Sequence, residues 1–189
     1  MTCILIVPGN GCTPIRQSNW YGVFHVALGE RQMESICEDF PDPYQARRDR
    51  WIPHMRSLLL DDDDAILVGH SSGAQAILRY TEEYPCRAAI LVAATYSDLG
   101  DPGERASGYY PHKDGSNPYN FEAMRTNCPM WYQFHSDDDP FIPLREAEQI
   151  RDGLQVVNYR MLPGRSHFFE PFPELLETVQ SILQEHSEK

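Results

Sequence analysis

The segment around Ser71 constrains this chain more than any other. A short apolar run at residues 66–68 has the composition of a buried strand, and it stops at Gly69. From Ala74 onward the apolar residues recur at helical spacing. Between them lies the pattern Gly-x-Ser-x-Gly, which holds a serine exposed at a sharp turn where a base can activate its hydroxyl. The segment predicts a strand, a nucleophilic serine and a helix; an ordinary glycine-rich turn is the alternative.

Two turns offer backbone donors for the oxyanion that forms when a serine attacks a carbonyl carbon. The N–H of Ser72 lies at the predicted helix start, where backbone donors have no intrahelical acceptor. The second donor is predicted from the turn at residues 8–11, which follows an apolar strand, and either Asn10 or Gly11 would supply it. An ordinary tight turn is again the alternative. The turn lacks the glycine of a dinucleotide fingerprint and the lysine of a P-loop.

Six short apolar runs separated by helical patterns predict the fold. They occupy residues 3–7, 33–37, 66–68, 88–94, 130–134 and 156–162. Such alternation is typical of a parallel sheet covered by helices on both faces. We predict a three-layer α/β sandwich with a six-stranded parallel sheet, forming a single domain over residues 1–189. Asp42, which precedes a proline, is predicted to cap the second helix.

Two later strand ends carry the residue types that Ser71 needs as partners. Three aspartates at residues 137–139 follow the fifth strand, and His167 follows the sixth. The chain order Ser, Asp, His is that of an α/β-hydrolase. His167 is the predicted base, because imidazole titrates near neutrality. The predicted acid is Asp139, which precedes Pro-Phe-Ile-Pro as in many acid loops, and Asp138 is the alternative.

The other six histidines are weaker candidates for the base. His70 is next to the nucleophile, but its side chain is predicted to leave the turn in the wrong direction. His135 stands where the acid should be. The remaining four lie on predicted helices or loops without a strand-end position.

Residues 96–128 predict a lid-like insertion. They are rich in Gly, Asp, Pro, Ser and Tyr, and they are too many for a simple connection. Tyr109 and Tyr110 are predicted to line a substrate pocket, with a surface excursion as the alternative. Trp20 is a third candidate for the pocket wall, although core packing is its favoured role. The acidic run at residues 61–64 lacks the ligand spacing of a calcium site, and we expect no metal and no cofactor.

Composition limits the partners of the chain. Its 189 residues, 41% hydrophobic and 23% charged, suit a globular domain with a sizeable core. The net charge of −12 should repel polyanions, so no nucleic-acid partner is expected. Neither a signal peptide nor a run of about 18 apolar residues is found, so no membrane association is expected. Five cysteines without a Cys-x-x-Cys pair favour free thiols and a cytoplasmic location.

Several sequence motifs are spread along the chain: Val7-Pro8-Gly9-Asn10-Gly11, Trp20-Tyr21-Gly22, Pro41-Asp42-Pro43, Gly69-His70-Ser71-Ser72-Gly73-Ala74, Tyr96-Ser97-Asp98-Leu99-Gly100-Asp101, Glu104-Arg105-Ala106-Ser107-Gly108-Tyr109 and Asp138-Asp139-Pro140-Phe141. These motifs resemble those of the retinoblastoma-binding protein 9 family, whose members are small serine hydrolases of the α/β-hydrolase superfamily. The resemblance covers nearly the whole chain. It implies a minimal core without the superfamily's first two strands, and a triad of Ser71, Asp139 and His167.

The chain departs from that family at two places. The family is named for binding a retinoblastoma-type pocket protein through Leu-x-Cys-x-Glu, and the residues around Cys37 do not form this motif. We therefore do not expect that partner. Residues 111–120 also differ from the tryptophan-containing lid of the family, so the resemblance does not define the substrate pocket here.

These observations lead to one main hypothesis and one alternative. The main hypothesis is a monomeric, metal-independent serine hydrolase that cleaves a small-molecule ester, thioester or activated amide through an acyl-Ser71 intermediate. The alternative is a protein-interaction module on an α/β-hydrolase fold with a vestigial or little-used active site. The polar composition of the predicted lid argues against long lipid chains as substrates.

Overall fold

The structure, a computed structural model, describes residues 2–187. Its six strands form one parallel sheet in the spatial order β2-β1-β3-β4-β5-β6. In chain order they are Ile4–Val7 (β1), Ser35–Ile36 (β2), Ile66–His70 (β3), Ala88–Val92 (β4), Met130–Ser136 (β5) and Asn158–Leu162 (β6). The α-helices of the described residues are Tyr21–Gly29 (α1), Arg48–Leu59 (α2), Ser72–Thr81 (α3), Pro102–Ser107 (α4), Phe121–Asn127 (α5), Leu144–Leu154 (α6) and Pro173–Ser187 (α7). The predicted parallel sheet is confirmed.

Helices cover both faces of the sheet because alternate strand residues point to opposite sides. Leu5 and Val7 of β1 join one apolar cluster, whereas Ile4 and Ile6 join another. The first cluster includes buried residues of α2, α3, α5 and α6, and the second includes those of α1 and α7. The sheet is thus the middle of three layers, which explains why its central strands are continuous apolar runs.

The strand order places a crevice at the carboxyl ends of β1 and β3. From β1 the chain moves outward to β2, then returns to β3 on the other side and continues in that direction to β6. The two neighbours are in register, with Val7 opposite Gly69. The connections that follow them run to opposite sides of the sheet, and ligands of such folds bind at this point. Ser71 lies two residues beyond Gly69.

The predicted cap at Asp42 is wrong. Asp42 has a φ of 52°, in the left-handed region, and α2 begins only at Arg48. The side chain of Asp42 instead accepts hydrogen bonds from Arg47 N at 3.3 Å and Arg47 Nε at 2.7 Å. A carboxylate that folds back on its own turn in this way competes with the helix start that the sequence suggested.

The predicted insertion at residues 96–128 contains α4 and α5, and the buried Arg79 of α3 makes several of the hydrogen bonds that hold it. The guanidinium of Arg79 donates to the carbonyl oxygens of Tyr109, Asn117 and Pro118 at 2.7, 2.8 and 2.9 Å. These three hydrogen bonds help to fix the path of this irregular segment, because a buried carbonyl without a donor is costly. Lid-like behaviour of the segment stays a prediction.

Two further features concern thiols and helix length. All five cysteines are free, and Cys37, Cys86 and Cys128 are buried. Within residues 2–187, every helix is too short or too polar to pass through a lipid bilayer.

Candidate active site

Ser71 occupies the turn between β3 and α3 with a strained backbone. Its φ and ψ are 54° and −119°, a conformation that costs a non-glycine residue about 1–3 kcal/mol. Close packing maintains it. A Cβ on Gly73 would collide with the carbonyl oxygen of Val7, and one on Gly69 would lie 2.6 Å from the carbonyl oxygen of Gly73. The two glycines therefore let α3 begin directly against the sheet, with Ser71 at the apex of the turn.

Asp139 and His167 are hydrogen-bonded to each other. His167 Nδ1 lies 2.8 Å from Asp139 Oδ2. The other carboxylate oxygen accepts the N–H groups of Phe141 and Ile142 at 2.9 and 3.0 Å. Burial acts to raise the pKa of Asp139, but the hydrogen bond and charge of His167 and the two backbone donors outweigh it and lower the pKa. The carboxylate is thus ionised at neutral pH and held toward the imidazole.

Ser71 and His167 line one cavity of about 730 Å³ at the carboxyl edge of the sheet. Asp139 follows β5 and His167 follows β6, so the three side chains come from three different strand ends. Within the described residues, neither Ser71 Oγ nor His167 Nε2 has a hydrogen-bond partner. Hydrogen bonds between side chains of this kind are often long in a site without substrate and tighten when a substrate binds.

The two preceding aspartates position the loop that carries His167. Asp137 Oδ1 accepts the N–H of Gly164 at 3.0 Å, and Asp138 Oδ1 accepts the N–H of Ser166 at 2.8 Å. Asp138, the alternative acid, has no hydrogen bond to His167. The acidic run therefore divides into two residues that fix a loop and one that contacts the imidazole.

The candidate oxyanion donors differ in whether their N–H groups already have an acceptor in the described protein. The N–H of Gly11 donates to Pro43 O at 2.7 Å, so it is not available to a substrate, contrary to one of the two predictions. The N–H of Asn10 has no acceptor among residues 2–187, and Asn10 lines the cavity. The N–H of Ser72 is likewise without an acceptor in this part of the chain, because it lies in the first turn of α3.

Of the three predicted pocket residues, only Tyr110 lines the cavity. Its hydroxyl donates to Glu104 Oε2 at 2.6 Å. The pocket predictions for Trp20 and Tyr109 are wrong, since their exposed fractions are 1% and 0% and both lie in the apolar clusters. For Trp20 the favoured core role is confirmed. Trp20 packs edge-on against Phe24 with ring centroids 5.7 Å apart. Burying such large apolar side chains in the core stabilises the fold more than leaving them at a cavity wall.

Much of the cavity wall consists of residues that no sequence pattern predicted. Asp98, Asp101 and Glu104 form an acidic side, and Phe141 and Phe169 lie near the mouth, where they are partly exposed. The ring of Phe141 is 5.1 Å from that of His167, edge to face. Its position two residues after Asp139 was a usable signal. The acidic residues carried no such signal, because their approach to the site depends on the path of the whole segment.

His70 cannot act as the base, as predicted, although it lines the cavity. Its Nδ1 lies 2.6 Å from Tyr21 Oη and its Nε2 lies 2.8 Å from His167 O, so both ring nitrogens are engaged. Burial lowers the pKa of His70 to about 3, so the ring is neutral. His135 is also buried, with a lowered pKa, and its Nε2 lies 3.0 Å from Ile142 O.

No metal centre is evident in the part of the chain that the structure describes. Among residues 2–187, no group of three or more histidine, cysteine, aspartate or glutamate side chains is arranged to hold an ion. The arrangement at Ser71 offers instead a hydroxyl, an imidazole with a free Nε2, a buried carboxylate and two free backbone donors. Such a set suits acyl transfer to the hydroxyl.

Known proteins are similar to this chain in sequence or in fold. A model of the alpha/beta hydrolase family matches residues 4–179. The serine hydrolase RBBP9 of Rattus norvegicus is 41% identical over 184 residues, which cover 96% of each chain. This relative confirms the resemblance that the motifs indicated.

Two solved structures show the same fold at low sequence identity. The ydeN gene product of B. subtilis has a TM-score of 0.82 at 18% identity, covering 97% of this chain and 100% of that one. Est1E from Butyrivibrio proteoclasticus has a TM-score of 0.73 at 14% identity, covering 100% of this chain and 89% of that one. These two structures show the fold, and the family model and the RBBP9 relative show that the chain belongs to the alpha/beta hydrolase family, among its serine hydrolases.

Proposed function

We propose that this hydrolase cleaves small esters, thioesters or activated amides through an acyl intermediate on Ser71. One observation carries the proposal: the strained Ser71 and the hydrogen-bonded pair of His167 and Asp139 meet at one cavity. Three strand ends far apart in the sequence supply these groups. A turn selected only for packing would not need a buried, ionised carboxylate directed at an imidazole beside it.

In the proposed mechanism the ionised Asp139 fixes the tautomer of His167. Because the carboxylate accepts from Nδ1, the lone pair of Nε2 faces the cavity. Nε2 removes the proton from Ser71 Oγ as the oxygen attacks the substrate carbonyl carbon. The same proton then passes to the leaving group, which departs and leaves an ester on Ser71. Water, activated by His167, hydrolyses this ester and restores the serine.

The developing oxyanion would be held by the backbone N–H groups of Asn10 and Ser72. Both are free of protein acceptors within residues 2–187, and they flank Ser71 from the ends of β1 and α3. Donors already aimed at the place where negative charge develops need no reorganisation during the reaction. The loss of one such donor in comparable hydrolases costs about two to three orders of magnitude in rate.

The cavity supports a small substrate. Its volume of about 730 Å³ lies within the range of about 300–1,000 Å³ that is usual for small-molecule sites. Tyr110, Phe141 and Phe169 provide aromatic surface, while Asp98 and Asp101 make another part of the wall polar. This mixture suits a compact acyl or leaving group better than a long lipid chain.

A fluorophosphonate probe tests the proposal. The probe forms a stable adduct only with an activated serine, and mass spectrometry of peptides locates it. We expect labelling at Ser71 in the wild type, none in Ser71→Ala, and labelling slowed at least about a hundredfold in His167→Ala. A p-nitrophenyl ester of a short acid should be hydrolysed with the same dependence on these residues.

The result separates the enzyme from the alternative of an interaction module. A well-folded wild-type protein that neither reacts with the probe nor hydrolyses the ester would support the module with an unused site. Labelling at a residue other than Ser71 would also contradict the proposal.

A further inference from the structure

A chain of buried hydrogen bonds connects three parts of the candidate site behind Ser71. The N–H of Gly9, in the turn after β1, donates to Tyr21 Oη at 2.9 Å. Tyr21 Oη lies 2.6 Å from Nδ1 of His70, the residue before Ser71. His70 Nε2 lies 2.8 Å from the carbonyl oxygen of His167. The chain therefore links the turn that carries Asn10, the turn that carries Ser71 and the loop that carries His167.

The direction of every hydrogen bond in this chain follows from its two ends. A carbonyl oxygen can only accept, so the proton of the His70 ring must be on Nε2. Nδ1 must then accept, and the hydroxyl of Tyr21 must donate to it. The oxygen of Tyr21 is left to accept the N–H of Gly9 and also Nδ2 of Asn19, which lies 3.1 Å away. A single arrangement of protons satisfies the whole chain.

Burial keeps these protons in place. The exposed fractions of Tyr21 and His70 are 0% and 1%. Burial raises the pKa of Tyr21, which therefore keeps its donor proton, and lowers that of His70, which stays neutral. The rings also pack tightly, with the centroid of His70 4.9 Å from that of His167 and 6.0 Å from that of Trp20.

We propose that Tyr21 and His70 are positioning residues for the hydrolysis, because their hydrogen bonds hold the Asn10 turn and the His167 loop in register with Ser71. The inference rests on the proposed function and adds two residues to it, neither of which touches the substrate's reacting atoms. A displacement of about 1 Å in a catalytic group can cost about a hundredfold in rate. Ser71 thus depends on a hydrogen-bonded support that joins the Asn10 turn to the His167 loop.

Two substitutions of His70 break the chain of hydrogen bonds at different places. In His70→Gln, the side-chain amide can reach His167 O in place of Nε2, so the link to the catalytic loop is kept. In His70→Asn, the shorter amide can accept from Tyr21 in place of Nδ1, but it cannot reach His167 O. Tyr21→Phe removes the acceptor of the Gly9 N–H and the donor to His70 together.

The experiment compares kcat and KM of these variants on a p-nitrophenyl ester, per active site titrated with a fluorophosphonate. We expect kcat to fall about ten- to hundredfold in His70→Asn and Tyr21→Phe, with KM within about threefold of the wild type. His70→Gln should keep most of the wild-type kcat, because the hydrogen bond to His167 O and the one from Gly9 to Tyr21 both stay in place. Titration of active sites removes any contribution of unfolded protein.

Matched controls come from buried side chains away from the cavity. Tyr109→Phe removes a buried tyrosine hydroxyl that has no partner among the described residues. His54→Asn changes a half-buried histidine that packs against Phe40, with ring centroids 4.9 Å apart. Both controls should keep the kcat of the wild type, since neither is joined to Ser71 or to its partners.

A second measurement does not depend on activity. The proton shared by His167 Nδ1 and Asp139 should give a low-field NMR resonance, which we expect to move or broaden in His70→Asn and to stay in place in His70→Gln. The proposal is overturned if His70→Asn and Tyr21→Phe keep the wild-type kcat, or if both His70 variants lose activity equally with the resonance unchanged. A wild type that fails to react with the fluorophosphonate would contradict the proposed function instead, and the resonance would then decide about the positioning chain alone.

Discussion

At the scale of single residues, three consecutive aspartates act differently because their carboxylates meet different partners. Asp139 contacts the His167 ring, while Asp138 holds the backbone of the same loop. We expect Asp139→Asn to lower kcat by about three to four orders of magnitude. An amide nitrogen facing Nδ1 would donate to it and so move the ring proton to Nε2, the atom that must accept from Ser71. Steady-state kinetics on a p-nitrophenyl ester measure the change.

Asp138→Asn is the matched control for that substitution. An asparagine oxygen can still accept the hydrogen bonds from Ser136 Oγ and Ser166 N that Asp138 Oδ1 accepts at 2.7 and 2.8 Å. We expect its kcat within about threefold of the wild type. If the two substitutions lowered kcat equally, Asp139 would have no special part in the chemistry.

Single residues also show what a sequence can and cannot predict about a site. Ser71, Asp139 and His167 were predicted together because each follows a strand, and the carboxyl ends of parallel strands share one edge. Tyr109 was placed at the pocket wrongly, and Trp20 was kept as a pocket candidate beside its favoured core role, because an aromatic residue in a loop or helix carries no local mark of which side it faces. The choice between Asn10 and Gly11 needed a contact with Pro43, which no local pattern contains.

At the scale of elements, the site depends on how closely α3 approaches β1. We expect Gly73→Ala to lower the free energy of unfolding by about 3 kcal/mol, because the added Cβ would collide with the carbonyl oxygens of Val7 and Pro8. Chemical denaturation measures this change in the free energy of unfolding. Gly29→Ala, in α1, is the control: an added Cβ there meets nothing within 4 Å, so stability should rise by about 0.4–1 kcal/mol. Equal stability of the two variants would contradict this account of the approach.

Arg79 connects α3 to the 96–128 segment, so its loss should lower stability and expose that segment to proteolysis. Its side chain is 2% exposed, pairs with Glu82 at 2.7 Å and donates to three carbonyls of the 96–128 segment. Arg79→Met should lower the free energy of unfolding by about 3 kcal/mol, because these buried groups lose their donors. Limited proteolysis should cut first within residues 109–118. Arg31→Met, at an exposed position, should change stability by under about 1 kcal/mol, and resistance of the Arg79 variant to proteolysis would contradict the prediction.

Elements were more predictable than the connections between them. The helix at Leu144–Leu154 and the strand ends near residues 7, 70 and 136 follow from apolar periodicity, which is local. The start of α2 was misplaced because Asp42 and Pro43 suit a helix start but also a tight turn. A hydrogen bond to Arg47 decides between them, and the sequence does not show it.

At the scale of the whole molecule, the apolar runs that predict the fold can be read along the sequence. The cavity, in contrast, forms only when distant segments come together in the folded protein. Continuous apolar strands predict a sheet covered on both faces wherever they occur. The cavity wall, by contrast, brings Asn10 beside Glu104 and His167 beside Phe141. Such approaches are fixed only when all three layers have packed, so a sequence can indicate a hydrolase long before it indicates a substrate.

Buried neutral histidines should make the whole molecule less stable in acid. His70 has a folded pKa of about 3 against 6.5 for an ordinary histidine, and burial also lowers the pKa of His135. As pH falls below 6.5, the unfolded chain therefore binds protons that the folded chain does not, and the free energy of unfolding falls by up to about 1.4 kcal/mol per pH unit for each such ring. Asp139, whose folded pKa is lowered, contributes stability that is lost only in more acidic solution, as pH falls through its folded pKa. Urea unfolding at pH 7.5 and 5 should show a lower midpoint at pH 5, with a smaller difference in His70→Gln, and an equal midpoint at both pH values would show that these rings are not buried in their neutral form.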